Sequence, residues 1–91
     1  MLTFEYDPHK SATNKDKHGI NFEEAQSLWA VRGTVTPAPH PVERRFLRTA
    51  KMDGKFWTAV YTMRGANIRI ISVRRARENE ERNYVSQDTP D

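Results

Sequence analysis

Three strand-like runs in the second half of the chain constrain its fold more than any other feature. They cover about 44–52, 55–63 and 67–74, and they are rich in the β-branched and aromatic side chains that strands favour. Asp53-Gly54 joins the first two runs and is the strongest hairpin signal in the chain, and 64–67 joins the second run to the third. Because short turns join antiparallel neighbours, the sequence predicts a mostly antiparallel sheet.

The first residues predict a strand and then a helix. Apolar and polar side chains alternate over 2–6, which is typical of a short strand. Asp7 followed by Pro8 is typical of a helix N-cap and the first helical position. The helix should run to about His18 and end at Gly19, because glycine readily adopts the left-handed conformation that stops a helix. Its apolar content is thin, so we expect it to pack weakly.

A second helix should begin directly afterwards. Asn21 and Glu24 have the spacing of a capping box, in which each side chain bonds to the backbone of the other residue. Phe22, Ala25 and Trp29 recur at the spacing of one helical face, so this helix should pack on the sheet.

The remaining segments complete the predicted domain. Loop 33–42 contains three prolines and can hold at most a short edge strand. Residues 76–85 have a helix-forming composition, and 86–91 are expected to form a frayed tail. We therefore predict a single domain over residues 1–85 of the α+β class, with an N-terminal strand and two helices, then a mostly antiparallel sheet and a C-terminal helix.

Composition limits the classes of function. The chain has 91 residues and no cysteine, which excludes a disulfide framework and a thiolate nucleophile. The first residues lack the features of a secretory signal, and no run approaches the roughly 20 apolar residues that cross a bilayer. We therefore expect a cytoplasmic protein without membrane association.

Charge is distributed unevenly along the chain. Residues 1–43 carry four Lys or Arg against six Asp or Glu, whereas residues 44–91 carry eleven against six. A basic half raises the association rate with polyanions and gives a salt-dependent affinity. Nucleic acid is therefore the first partner to consider.

Four of these eleven basic residues are arginines on or next to the third strand-like run. Arg69, Arg74 and Arg75 lie on or just after the run, and Arg64 lies at the turn before it. Guanidinium groups hold phosphate oxygens with paired hydrogen bonds. Simple alternation places Arg69 and Arg75 on one face of the sheet and Arg74 on the other. We expect one of these arginines to bond to an acid or a helix carbonyl instead of phosphate.

Several groups of residues together form a recognisable pattern. They are Phe4-Glu5-Tyr6-Asp7-Pro8 with Lys10, Asn14 with 17–20 and 22–25, Glu43-Arg44-Arg45-Phe46, Tyr61-Thr62 with Arg64-Gly65, 68–72 with 74–76, and Glu81 with Tyr84. This pattern covers about residues 3–85 and resembles the BrnT toxins of bacterial type II toxin–antitoxin systems. Leu47-Arg48-Thr49-Ala50 departs from the small pair that often stands there in the family, and we interpret it as a local hairpin variation.

The resemblance implies a fold, an activity and a set of partners. The fold would be RelE-like, and the activity would be an endoribonuclease that arrests translation. The partner would be a BrnA-like antitoxin, dimeric, with a ribbon-helix-helix DNA-binding domain. The complex would repress its own promoter, and the toxin would contact operator DNA only through the antitoxin. We expect a heterotetramer of two toxins and two antitoxins.

RNA cleavage sets chemical requirements that the residues can be compared with. The 2′-hydroxyl must lose a proton, the phosphorane must be stabilised, and the 5′-oxygen must gain a proton. The histidines, His9, His18 and His40, lack metal-ligand spacing, so we expect a metal-independent reaction without a cofactor. Arg64, Arg69, Arg74 and Arg75 are the predicted electrostatic stabilisers.

Proton transfer has two candidates, and each has a structural alternative. His18 is a candidate because histidine side chains suit acid–base work near neutral pH, but it could equally interact with the helix dipole as a C-terminal cap. Glu43 could act as a base beside Arg44 and Arg45, or only pair with them. His9 and His40 are expected to be solvent-exposed.

Further residues are candidates for RNA binding. Tyr84 could stack on a base or pack on the core against Trp57, and the other large aromatic residues are expected in the core. The predicted RNA-binding residues are Lys17, Arg44, Arg45, Arg77 and Tyr84. A basic patch fits two other classes equally well: a non-catalytic module that binds nucleic acid or docks an antitoxin, and a structural protein that docks an acidic partner.

Overall fold

The computed structural model describes residues 1–88 and contains one five-stranded sheet with helices on both faces. Its elements, in chain order, are β1 (Thr3–Glu5), α1 (Pro8–His18), α2 (Phe22–Ala25), a 3₁₀ helix (Gln26–Trp29), β2 (Gly33–Ala38), β3 (Arg45–Met52), β4 (Lys55–Arg64), β5 (Asn67–Arg75) and α3 (Glu78–Asp88). The predicted α+β class and the order of its elements are confirmed.

The sheet has the order β1-β5-β4-β3-β2, and only the β1–β5 pair is parallel. The β3–β4 hairpin turns at Asp53 and Gly54, where both residues have positive φ (53° and 76°), as a type I′ turn requires. β2 lies at the edge, where the backbone nitrogen of Pro37 needs no strand partner. The predicted hairpin and edge strand are therefore confirmed.

Both N-terminal helices begin as the sequence predicts, and α1 also ends at the predicted glycine. The Asp7 carboxylate accepts the backbone N–H of His9 at 2.8 Å, and α1 ends at Gly19 with φ 80°. Asn21 and Glu24 form the expected capping box. The second helix continues as a 3₁₀ helix after Ala25, so its apolar residues still lie on the sheet.

One face of the sheet carries the hydrophobic core. α2 and the 3₁₀ helix bury Phe22, Ala25 and Leu28 against it, and Trp29 contacts the Tyr61 ring edge-on at 5.3 Å. From the sheet, the buried apolar side chains are Ala50, Trp57, Ala59, Tyr61, Ile68, Ile70 and Val73. We call this side the core face and the opposite side the open face.

Helix α1 is attached mainly by polar contacts. The buried Asn14 amide donates to the carbonyls of Val73 and Ile20, both at 2.8 Å, and its oxygen accepts the Val73 N–H at 3.2 Å. Buried Ser11 accepts the Phe22 N–H at 2.9 Å. Because β1 pairs with β5 only as far as Arg69, Asn14 satisfies the backbone of β5 beyond the end of β1.

A β-bulge in β5 changes the direction of the arginines. Val60 pairs with Ser72 but Tyr61 pairs with Ile70, so Ile71 is an extra residue in β5. Arg69 pairs with Thr62 and Arg74 pairs with Thr58, and cross-strand partners share a face. Arg69 and Arg74 therefore lie together on the open face. The prediction that Arg69 shares a face with Arg75 is wrong, because simple alternation does not count the bulge.

Helix α3 covers one end of the open face, where it packs on β2 and β3. Its Glu80 carboxylate accepts a hydrogen bond from Thr58, which in turn contacts Thr49 at 2.8 Å. The helix continues to Asp88, three residues past the expected end at Val85. The rest of the predicted tail, residues 89–91, lies outside the described residues.

Candidate active site

The uncovered end of the open face brings together polar side chains from four strands. Glu5 of β1 pairs in register with Arg69 of β5, which pairs with Thr62 of β4. The Thr62 hydroxyl donates to the Arg44 carbonyl at 2.6 Å, and Arg45 begins β3 on the same side. We call Glu5, Arg69, Thr62 and Arg45 the polar row.

Glu5 holds two of the predicted arginines. Its Oε1 lies 3.7 Å from Arg64 Nε and 3.9 Å from Arg69 Nη1. These distances are too long for hydrogen bonds, and this buried oxygen has no hydrogen-bond partner among the described residues. Glu5 therefore keeps two guanidinium groups within 4 Å of one carboxylate oxygen while leaving their donor N–H groups available to a ligand.

Glu43 and Arg45 form a second carboxylate–guanidinium pair at the same end of the sheet. Arg45 Nε donates to Glu43 Oε1 at 3.0 Å, and both side chains are about 30% exposed. His40 Nδ1 accepts the backbone N–H groups of Val42 and Glu43, both at 3.3 Å, which fixes the loop that carries Glu43. His40, Glu43, Arg44 and Arg45 line a cleft of about 320 Å³.

Arg74 is the arginine that bonds to an acid. Its guanidinium donates to both carboxylate oxygens of Glu80, at 2.8 and 2.9 Å. Glu80 Oε1 also accepts the Arg77 N–H at 2.7 Å and the Thr58 hydroxyl at 3.0 Å. Burial opposes ionisation of Glu80, but these hydrogen bonds outweigh it and lower its pKa to about 2. The structure thus places Arg74 in an internal ion pair that attaches α3 to the sheet.

Arg75 and Arg77 lie away from the polar row. Arg75 donates to the Phe56 carbonyl at 3.3 Å, and its guanidinium lies 5.6 Å from the centre of the Trp57 ring on the core face. Arg77 is exposed between β5 and α3, and only its backbone enters the Glu80 cluster.

His18 and Lys17 also lie apart from the polar row. Both side chains are exposed at the end of α1, where they line a cleft beside Ile71 and Ser72 of β5. No arginine lines this cleft. Of the two predicted proton-transfer groups, the structure therefore places Glu43 near the arginines and His18 in a separate cleft.

Tyr84 packs on the α3 side of the sheet instead of against Trp57. Its ring contacts Phe56 edge-on at 5.2 Å, and the Arg32 guanidinium lies 3.9 Å from the ring centre. Trp57 lies on the core face, so the predicted Tyr84–Trp57 contact is wrong. The expected core positions of Trp29, Phe46 and Trp57 are confirmed, whereas Phe56 is half-buried against α3.

Three residues of this region were not predicted as site residues. Glu5 is separated from Arg64 and Arg69 by about sixty positions, and only the parallel β1–β5 pairing brings it between them. Thr62 reads as an ordinary strand residue. His40 stands in a proline-rich loop, where its sequence neighbours do not reveal that its ring bonds to the backbone. In the sequence, the one indication of their importance is that Glu5 and Thr62 lie within the motifs that resemble the BrnT toxins.

Metal-ion clusters and membrane-spanning helices are both absent from the described part of the chain. Within residues 1–88, no group of three or more His, Asp or Glu side chains is placed to hold a metal ion. No helix in this part of the chain is long and apolar enough to cross a membrane.

Comparison with known proteins gives the family. A search of curated proteins yields no significant match. The family model described as the ribonuclease toxin BrnT of type II toxin–antitoxin systems matches residues 6–80. The matched range contains Glu43, Arg45, Arg64 and Arg69, whereas Glu5 lies just before it. The α+β architecture is consistent with a RelE-like toxin fold. The match covers far more than half of the chain, which therefore belongs to the BrnT family of ribonuclease toxins.

Proposed function

We propose that this protein is a metal-independent endoribonuclease whose active site is the polar row together with Arg64 and Glu43. One observation carries the proposal: Arg64 and Arg69 flank Glu5, and Arg45 is held by Glu43, at the same uncovered end of the sheet. Three guanidinium groups in this arrangement offer forked donors to one phosphodiester without further rearrangement of the sheet.

The spacing of the strands suits a single phosphate. Arg69 and Arg45 lie on strands separated by β4, so their backbones are about 10 Å apart at the usual strand spacing. Long arginine side chains that approach from both sides can meet over Thr62, between the two strands. A phosphorane bound there gains negative charge in the transition state, and the guanidinium groups stabilise that charge.

Glu43 is the proposed general base. Its Oε1 is bonded to Arg45, whereas its other oxygen makes no hydrogen bond within residues 1–88. That oxygen takes the proton of the 2′-hydroxyl as the 2′-oxygen attacks phosphorus. The bond to the 5′-oxygen then breaks, water of the open face gives that oxygen a proton, and the resulting hydroxide takes the proton from Glu43. The products are a 2′,3′-cyclic phosphate and a 5′-hydroxyl. Glu5 is a positioning residue, because its buried oxygen faces only the two arginines.

RNA cleavage in the presence of EDTA tests this proposal. We expect wild-type protein to cleave single-stranded RNA under these conditions. The cleavage rate of Arg69→Ala should be about 10²–10³-fold lower. Arg69→Lys should not restore the rate, because lysine lacks the planar fork. Arg82→Ala is the matched control, since Arg82 is 71% exposed on α3 and its one ion pair within residues 1–88 is with Glu78. Complete inhibition by EDTA, or full activity of folded Arg69→Ala, would refute the proposed site.

From membership of the family we also propose the biological setting. The protein arrests translation, and a BrnA-like antitoxin with a ribbon-helix-helix domain neutralises it and represses their shared promoter. Two toxins and a dimeric antitoxin form a heterotetramer. Expression of the toxin alone should stop growth, and co-expression of the neighbouring antitoxin frame should restore it. Light scattering of the co-purified pair measures the stoichiometry, and a toxin that elutes alone would contradict the assembly.

A further inference from the structure

A second basic site lies outside the polar row, between α1 and the edge of β5. It is a cleft of about 290 Å³. Its lining residues are His9, Lys10, Thr13, Asn14, Lys17, His18, Phe22, Ile71 and Ser72. We call it the α1 cleft. No Asp or Glu lines it, although α1 itself contains Asp16.

The α1 residues of the cleft form one continuous stripe. His9, Thr13 and Lys17 follow one another at four-residue intervals, as do Lys10, Asn14 and His18, so both rows lie on one side of the helix. At 1.5 Å per residue, the stripe is about 13 Å long. A lysine stands near each end, which separates the two permanent charges along the cleft.

Neither lysine side chain is used in a direct bond within residues 1–88, although the Asp7 carboxylate at the helix N-cap interacts electrostatically with Lys10. Neither Lys10 nor Lys17 forms a side-chain hydrogen bond or an ion pair with any residue of the described part of the chain. Lys15, on another side of the same helix, bonds to both oxygens of Glu24 at 2.8 and 3.1 Å. The fold therefore neutralises the lysine that faces α2 and leaves the two lysines of the cleft available to an external anion.

The α1 cleft is connected to the proposed active site through β5. Ser72 lines the cleft, and its pairing with Val60 places it on the open face between Arg69 and Arg74. A bound strand that leaves Arg69 along the open face would pass Ser72, cross the edge of the sheet and meet Lys17 or Lys10. A stiff duplex cannot follow this bend, whereas a flexible single strand can.

We propose that the α1 cleft binds the phosphate backbone of single-stranded RNA at a distance from the bond that is cleaved. The inference rests on the proposed function, since it concerns how the same substrate is held. It adds that affinity should increase when the RNA is long enough to extend from the polar row into the cleft.

Binding can be measured separately from cleavage. The probe is a fluorescent single-stranded oligouridylate of about 12 nucleotides, within the site sizes of single-strand binding proteins. Fluorescence anisotropy is recorded with Arg69→Ala protein, so that the probe stays intact. We expect Lys10→Gln/Lys17→Gln in this background to weaken binding about tenfold. The slope of log K against log salt concentration should fall by about 1.4, at about 0.7 per phosphate contact on a single strand.

Two comparisons make the test specific. Lys15→Gln in the same background removes a lysine from the same helix and should leave both affinity and salt slope unchanged. A probe of about 4 nucleotides should be insensitive to Lys10→Gln/Lys17→Gln, because it is too short to occupy the cleft and the polar row together. Circular dichroism confirms that each variant is folded.

The outcomes separate this inference from the proposed function. If wild-type protein cleaves no RNA but the long probe still depends on Lys10 and Lys17, the cleft is supported and the catalytic proposal fails. Equal affinities and salt slopes for Lys10→Gln/Lys17→Gln and Lys15→Gln would overturn the cleft proposal. It would also be overturned if a duplex probe depended on the two lysines as strongly, or if the double variant lost only its complex with the antitoxin.

Discussion

Replacement of Glu80 by glutamine should destabilise the protein strongly at neutral pH and much less in acid. Glu80 is the centre of the cluster that attaches α3, and its side chain is only 9% exposed. Its pKa falls from an ordinary value of 4.5 to about 2 in the folded protein. At about 1.4 kcal/mol per pKa unit, ionised Glu80 contributes about 3 kcal/mol to the free energy of unfolding at pH 7.

The direction of the Glu80 pKa shift determines how the stability of the protein changes with pH. A carboxyl whose pKa is lower in the folded state stabilises the protein above its unfolded pKa, and this contribution is lost as the pH falls toward the folded pKa. For Glu80 the window lies between about 4.5 and about 2, so roughly 1.5 kcal/mol should remain at pH 3. Glu80→Gln keeps an oxygen for Thr58 and the Arg77 N–H, but its amide donors face the Arg74 guanidinium.

Urea unfolding followed by circular dichroism at pH 7 and pH 3 measures the effect. Glu78→Gln is the matched control, because Glu78 lies on the same helix with an 83% exposed side chain and a single surface ion pair. This control should change the free energy of unfolding by less than about 0.5 kcal/mol. The reasoning is refuted if Glu80→Gln costs no more than Glu78→Gln at pH 7, or if its cost is the same at both pH values.

Three further predictions concern packing, the β5 edge and the bulge. Gly33→Ala should lower the free energy of unfolding by about 1–3 kcal/mol, because its Cβ would lie 2.9 Å from the Arg48 guanidinium carbon. This loss should be smaller in an Arg48→Ala background, and equal losses in both backgrounds would contradict the contact. Asn14→Leu should cost at least about 2 kcal/mol in urea unfolding, because it removes three buried hydrogen bonds, and a cost below about 0.5 kcal/mol would contradict this role. Arg75→Ala should lower the RNA-cleavage rate less than tenfold while Arg69→Ala lowers it about 10²–10³-fold, and equal losses would contradict the bulge geometry.

Local signals in the sequence were sufficient for most of the fold. Capping at Asp7 and Asn21, the exit at Gly19 and the turn at Asp53 depend on the backbone preferences of a few neighbouring residues. Such preferences act over one or two turns of chain, so the sequence contains them directly. Family resemblance added the RelE-like architecture, which local signals alone do not specify.

The bulge illustrates why the site was harder to predict. Because Ile71 is an extra residue in β5, each later side chain of the strand lies on the face opposite to the one that simple alternation predicts. The composition of β5 does not mark the position of this bulge. Arg74 therefore moves onto the open face, where Glu80 of the next helix captures it. Arg75 moves to the core face. The expectation that one arginine would bond to an acid is confirmed for Arg74, but its identity depended on tertiary pairing.

The run 47–50 contains an arginine, Arg48, whose role also depends on tertiary contacts. Arg48 lies on the core side of β3, where it donates to the carbonyls of Leu28 and Val31 at 3.1 and 2.8 Å. Its guanidinium occupies the space that a side chain at Gly33 would need. Arg48 therefore attaches the 3₁₀ helix to the sheet.

Two clusters of charge lie near the opposite ends of β5, and their arginines are bonded in different ways. At the covered end, Arg74 satisfies both oxygens of Glu80, and burial makes the pair costly to disturb. At the uncovered end, Arg64 and Arg69 stand 3.7 and 3.9 Å from Glu5 without forming hydrogen bonds. Arg74 already uses three N–H donors on Glu80 and the Arg75 carbonyl, whereas the guanidinium groups beside Glu5 keep theirs. The same residue type on β5 therefore attaches helix α3 at one end and supplies an arginine of the proposed phosphate site at the other.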